Sequence, residues 1–177
     1  GTFGNSPFPY GAPSNITDST DNIGGISGLN SGNIMNCTSE GSVSGSYNTG
    51  GITGYNLKGN ISECDVLTDV FNDMEASGGI AGYNSGSLDL CITSSNIRGA
   101  FNVGGLVGCN TGTISNSSSS GSVNATDDQI GGVAGENNGG TVIYCESSGN
   151  VSGLNRVGGT VGYNTGDAKV TECTSTC

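Results

Sequence analysis

This sequence predicts an all-β chain, a roughly three-sided parallel β-solenoid of about six coils. Three observations carry the prediction. First, Gly-Gly-x-x-Gly-x-Asn recurs at Gly24, Gly50, Gly78, Gly104, Gly131 and Gly158, every 26 to 28 residues. A fixed period in this range marks a solenoid or array, because one period is too short to bury a core and must stack on its neighbours. Second, each period holds three short apolar-centred segments separated by Gly and Asn, which reads as three strands and three corners. Third, Gly, Ser, Thr and Asn dominate, helix formers are scarce, and no 3.6-residue apolar stripe is sustained.

The columns follow in order along the repeat. The residue after each Gly-Gly is Ile26, Ile52, Ile80, Leu106, Val133 or Thr160. A third Gly follows, then Asn30, Asn56, Asn84, Asn110, Asn137 and Asn164 without exception. Side-chain amides stacked at an inter-strand spacing of ~4.8 Å can hydrogen-bond along the rod; the other reading of this Asn is a left-handed turn residue. A second aliphatic column holds Ile34, Ile61, Leu88, Ile114, Val142 and Val170. A third holds Val43, Val70, Ile97, Val123 and Val151. Gly and Asn are expected to make the corners, since both tolerate left-handed backbone angles. The stretch 65–77 is the least repeat-like, yet Val70 follows Cys64 by the same six residues that separate Val43 from Cys37, so it is read as strand rather than helix.

The charge pattern excludes several partners. Charged residues are 11% of the chain and the net charge is −11, with no basic patch, which argues against nucleic acid. It also argues against docking on an anionic membrane, and no apolar run is long enough for membrane insertion. The acidity is read as keeping a rod soluble. The chain starts at Gly1 without a signal-like segment and is read as a mature or excised product.

Residues Gly104-Gly-Leu-Val-Gly-Cys-Asn-Thr-Gly-Thr-Ile-Ser-Asn-Ser, followed by Gly121-Ser-Val, resemble the GLUG motif. The copies at 24–49, 78–103 and 158–173 resemble it nearly as well, and the resemblance runs over about 21–177. It implies an extracellular β-solenoid of the kind found in bacterial surface proteins and adhesins. It carries no catalytic residues and no cofactor to transfer.

Five cysteines, Cys37, Cys64, Cys91, Cys145 and Cys173, share one column that Ser117 interrupts. Neighbouring coils would bring their Cα atoms within the disulfide window. Cys37–Cys64 and Cys145–Cys173 are the candidate pairs, with Cys64–Cys91 competing; buried free thiols acting as small apolar side chains are the alternative. The spacing and the absence of His do not suit a metal site. Cys109 sits in the column of Leu29, Tyr55, Tyr83, Glu136 and Tyr163, and Cys177 is free to contact another molecule.

The two ends fit each other. Residues 1–13 read as an extended arm, 14–23 as a partial coil and 24–177 as the solenoid. The partial coil parallels the third strand around Val151, which the sixth coil does not reach. Exposed solenoid edges are usually capped, so the expected function is a non-catalytic, extracellular fibre subunit whose partner is itself. In it, one copy completes the last coil of the next by strand addition. Asn15, Ile16, Thr17 and Ile23 on one side and Val170 and Cys173 on the other are the candidate contact residues. The runner-up is a stalk or ligand-binding segment of a larger adhesin; the third is a polysaccharide-active enzyme using Asp127 and Asp128, which as sequence neighbours on a strand would face opposite ways. The acidic stretch Asp65, Asp69, Asp73 and Glu75 lacks the ordered spacing of known Ca²⁺ loops. The column Thr38, Asp65, Ile92, Ser118, Glu146 and Thr174 is too mixed for an ice-binding face. Asn15, Asn36, Asn60, Asn116, Asn124 and Asn150 lie in Asn-x-Ser/Thr sequons, so covalent glycans are possible partners.

Overall fold

The computed structural model describes residues 15–17 and 21–177. The proposed arm at 1–13, and residues 14 and 18–20 of the partial coil, lie outside the described residues.

Every strand pairing is parallel, and each joins a residue to its counterpart one repeat away. One six-stranded sheet stacks Ser27–Asn30, Thr53–Asn56, Ala81–Asn84, Val107–Asn110, Ala134–Asn138 and Val161–Thr165. A second stacks Asn33–Met35, Asn60–Ser62, Ser87–Asp89, Thr113–Ser115, Thr141–Ile143 and Lys169–Thr171. The third and largest holds the remaining segments. In two coils these run as one long strand, Thr38–Gly50 and Asp65–Gly78; above them the path breaks into shorter pieces. The segment 65–77 is thus strand, with Val70 opposite both Val43 and Ile97.

The expected columns form the core. Ile52, Ile80, Leu106 and Val133 stack inward beside Ile61, Leu88, Ile114 and Val142, in one cluster with Cys64, Cys91 and Cys145. Under the third face a smaller cluster gathers Val70, Ile97, Val103, Val123 and Ile130. These side chains are inaccessible to water, so the thin core is nonetheless dry.

The corners depart from expectation. Two columns of left-handed residues run up the rod: Asn36, Glu63, Leu90, Asn116, Tyr144 and Glu172, and Asn22, Asn48, Ala76, Asn102, Gln129 and Arg156. Most are neither Gly nor Asn. The Gly-Gly pairs take no left-handed angle; among the described glycines only Gly41, Gly139 and Gly166 have positive φ. The repeat glycines serve close packing instead. A Cβ on Gly104 would collide with the Val107 carbonyl oxygen, and one on Gly82 with the backbone of Asn48 and Thr49. The left-handed corner of one coil therefore rests directly on the backbone of a glycine in the next.

Candidate functional site

The recurrent asparagine is a ladder, not a turn residue. The Asn30 side-chain amide donates to Asn56 Oδ1 at 2.8 Å, and Asn56 to Asn84, Asn84 to Asn110 and Asn110 to Asn137 at the same distance. Asn137 donates to Asn164 at 2.9 Å. All five bonds point the same way. Asn56, Asn84, Asn110 and Asn137 are fully buried, and each amide also donates to a carbonyl of its own corner. The ladder thus satisfies amides that would otherwise be costly to bury.

The cysteine column is a ladder of free thiols. Each thiol donates to the carbonyl two residues earlier, from Cys37 to Met35 up to Cys173 to Thr171, at 3.2–3.3 Å. Ser117 keeps the pattern, donating to Ser115 at 2.6 Å and accepting from the Cys91 amide. Burial pushes the Cys91, Cys109 and Cys145 thiols up to about 12. A thiol-specific reagent at pH 8 should therefore label the exposed Cys177 promptly and these three only on unfolding. One uniform rate for all would refute this arrangement.

The outward column of Tyr55, Tyr83, Cys109 and Glu136 behaves less simply than its spacing suggests. The Tyr55 and Tyr83 rings meet edge to face, centroids 4.9 Å apart. Cys109 is buried although its column points outward, because a small side chain between Tyr83 and Glu136 is shaded by both. Burial raises the Glu136 carboxyl above its usual value, the Cys109 thiol near Oε2 opposes this, Glu75 adds to it and Arg156 lowers it. A carboxyl raised in the folded state contributes stability below its ordinary value of 4.5, which is lost as pH rises through the folded value. Glu136→Gln should therefore melt higher than the parent at pH 7, with the gap closing toward pH 4. A gap that widens in acid would contradict the assignment.

Nearby, Asn102 shows how one irregular coil is accommodated. Asn48 donates to Asn22 at 3.0 Å, one coil below. Below Asn102 the same column holds Ala76, and its amide turns to Glu75 Oε1 at 3.3 Å. Among the described residues the Asn102 Oδ1 has no protein partner.

The remaining candidates fall in separate places. Asp128 is held by Arg156 at 3.2 Å and accepts from the Gln129 amide, so it is not paired with Asp127. Asp69 accepts two hydrogen bonds from Asn96, and among the described residues no group of three Cys, Asp or Glu is placed to hold a metal ion. The sequon residues Asn36, Asn116 and Asn150 are exposed, whereas Asn60 and Asn124 are half-buried and accept from Ser87 and Ser152. A feature not legible from spacing is an open groove of about 690 Å³ on the third face, lined by Ser44, Phe71, Asp73 and Arg98 among others. There the Arg98 guanidinium lies 6.0 Å from the centre of the Phe71 ring.

The first coil includes the segment expected to act as donor. Asn15, Ile16 and Thr17 pair with Ser42, Val43 and Ser44 of their own chain, and Ile23 with Thr49. The segment is thus already fixed by one edge. Ile23 is buried, while Ile16 at this end and Val170 at the other are exposed and Cys173 is half-buried.

A search of the curated proteins and of the solved structures finds no match to this chain. The family model of the GLUG motif matches residues 19–44 and 99–124. The second match contains the stretch from Gly104 to Val123 on which the resemblance rests; the copy at 78–103 overlaps it only at 99–103, and the copy at 158–173 lies outside both. The same Gly, Asn and aliphatic columns continue through the unmatched coils in unbroken register. The chain is a repeat protein that carries the GLUG motif.

Proposed function

We propose that this chain is a non-catalytic, extracellular structural and adhesive protein whose copies stack head to tail into a surface fibre. One observation carries the stacking. Among the described residues, Asn15–Thr17, Asp21–Gly24, Ser27–Asn30 and Asn33–Met35 have a strand partner on one side only. So do Val151–Ser152, Asn155–Gly158, Val161–Thr165, Lys169–Thr171 and Thr174–Ser175 at the other end. The four lower strands share the columns of the first four upper ones, and the column of Thr174–Ser175 begins below at Thr38 and Ser39, so the lower edge of one copy can take the register that a further coil would take. Open parallel edges of this kind template strand addition, and a contact between unlike surfaces that does not close gives a filament.

The N-terminal segment acts here without leaving its own coil. Its inner edge stays on Ser42–Ser44 and its outer edge meets the neighbour. The surface location and adhesive role are supported by the GLUG motif. The non-catalytic reading is supported by Asp128 being engaged by Arg156 and by the absence of His. Glycans on the exposed Asn36, Asn116 or Asn150 would decorate such a fibre without blocking its ends.

Light scattering across a concentration series tests the stacking. The fibre reading expects the mass to grow with concentration from the 17.4 kDa of one chain. A constant 17.4 kDa would favour the stalk segment of a larger adhesin, in which further coils cover the same edges.

A further inference from the structure

Resting on that stacking, we infer that the two end coils recognise each other through a directional amide contact and a charge clamp, and that these set the polarity of the fibre. The partner is a second copy of this chain, placed so that Asn30 of the upper copy stands over Asn164 of the lower and Asp21 of the upper stands beside Arg156 of the lower.

The amide contact follows from the single direction of the ladder. Each internal asparagine gives its amide hydrogen to the coil above and accepts from the coil below. At the top, Asn164 accepts from Asn137, but among the described residues its own amide reaches only the Ala168 carbonyl, at 3.3 Å. At the bottom, Asn30 gives its amide to Asn56, and among the described residues its Oδ1 accepts only from the Gly32 amide, at 3.1 Å. The top therefore offers a donor and the bottom an acceptor. Head-to-tail stacking joins them into one continuous ladder. Top-to-top stacking would set donor against donor, and bottom-to-bottom stacking acceptor against acceptor, while also opposing the strand directions.

The clamp follows from where the few charges lie. Of four cationic side chains in the sequence, Arg156 and Lys169 are both on the top coil, which also carries Asp167 and Glu172; the clamp rests on the position of Arg156. The described residues of the first coil, up to Glu40, carry Asp21 and Glu40 and no cation. Asp21 heads the column that continues through Tyr47 and Glu75 to Phe101, and Val103 opposite Ile130 carries this register on to Asp128 and Asn155. Arg156 already reaches down to Asp128 at 3.2 Å and is half exposed. In the stacked register the neighbour's Asp21 comes one coil above Asn155, so Arg156 lies between two carboxylates. A partly screened pair of this kind contributes more to specificity and encounter rate than to affinity, whereas like charges placed there are strongly unfavourable.

The test is charge reversal in the full chain, read by the subunit concentration at which filaments appear in sedimentation and negative-stain microscopy. Asp21→Arg and Arg156→Asp should each raise that concentration at least about tenfold, since like charges then meet. The double variant D21R/R156D restores the opposite pair across the junction and should assemble near the parental concentration. Because Arg156→Asp also breaks the bond to Asp128 and removes the guanidinium from over the Tyr163 ring, the circular dichroism melt of each variant identifies simple unfolding, and among the described residues D21R touches no internal ion pair. Parental filaments that tolerate D21R and R156D unchanged, or a double variant no better than the singles, would overturn the clamp alone. A parental chain that never assembles would overturn the stacking and the clamp with it.

Discussion

Asn84→Ala will destabilise the solenoid by about 4 kcal/mol, whereas Asn164→Ala will cost less than about 1 kcal/mol. Asn84 is fully buried, accepts from Asn56 and donates to Asn110, both at 2.8 Å. Truncation removes both ladder bonds, the amide's bonds to the Gly86 and Thr113 carbonyls, and the bond that Oδ1 accepts from the Gly86 amide, and it leaves those partners short. Asn56 keeps its bond to the Gly59 carbonyl, but Asn110 Oδ1 loses its donor from below in a site sealed from water. A buried polar group left unpaired costs about 1–3 kcal/mol, more than the net worth of the bond itself. At Asn164 the amide is exposed and water replaces what is lost. Urea unfolding followed by far-UV circular dichroism measures both. Equal small losses would mean that the asparagines merely occupy a turn.

Val123→Asp will abolish cooperative folding of most of the rod, and Val43→Asp will fray only its lower end. Both side chains are buried, so burial alone does not separate them. Their positions in the stack do. Val123 lies between Ile97 and Val151 and belongs to the inner cluster with Val70, Val103 and Ile130. Val43 lies outside that cluster, between Ile16 and Val70, with only the partial coil beneath it. A carboxylate buried without a partner costs several kcal/mol, and in a one-dimensional stack a broken middle coil uncouples the coils on both sides. Near an end, the loss is confined to the coils below. The expected circular dichroism is a nearly complete loss of strand signal for Val123→Asp and a partial loss for Val43→Asp. Hydrogen exchange would locate the residual protection in the coils above Val43. Equal collapse of both variants would count against independent stacking.

The coil path was legible because its requirements repeat. An inward position must be aliphatic in every coil, so Ile61, Leu88, Ile114 and Val142 announce themselves by register. The ladder was legible for the same reason: a bond between like side chains demands the same side chain each time. The left-handed corners were not legible. Glu63, Leu90, Tyr144 and Arg156 carry no turn signal, and their backbone angles are imposed by the coils stacked on either side. The glycines were correctly placed but wrongly explained, since close approach, not left-handed freedom, is what they provide. Cys109 was placed in its column by period, but its burial was not legible, because shading by larger neighbours depends on side-chain size in two adjacent coils. The recognition residues Asp21, Asn30, Arg156 and Asn164 gave no separate signal. Asn30 and Asn164 look like every other ladder residue, and only the direction of the bonds distinguishes the two ends.

The measurement that bears most directly on the whole account is negative-stain electron microscopy of the intact chain beside one lacking residues 1–23. Six coils at ~4.8 Å each make a single rod on the order of 30 Å long. The account predicts long thin fibres from the intact chain and only short rods from the shortened one, because the lower edge supplied by Asn15–Thr17 and Asp21–Ile23 is then missing. Short rods from both would contradict it and would make the matching columns of the two end coils a consequence of periodicity alone.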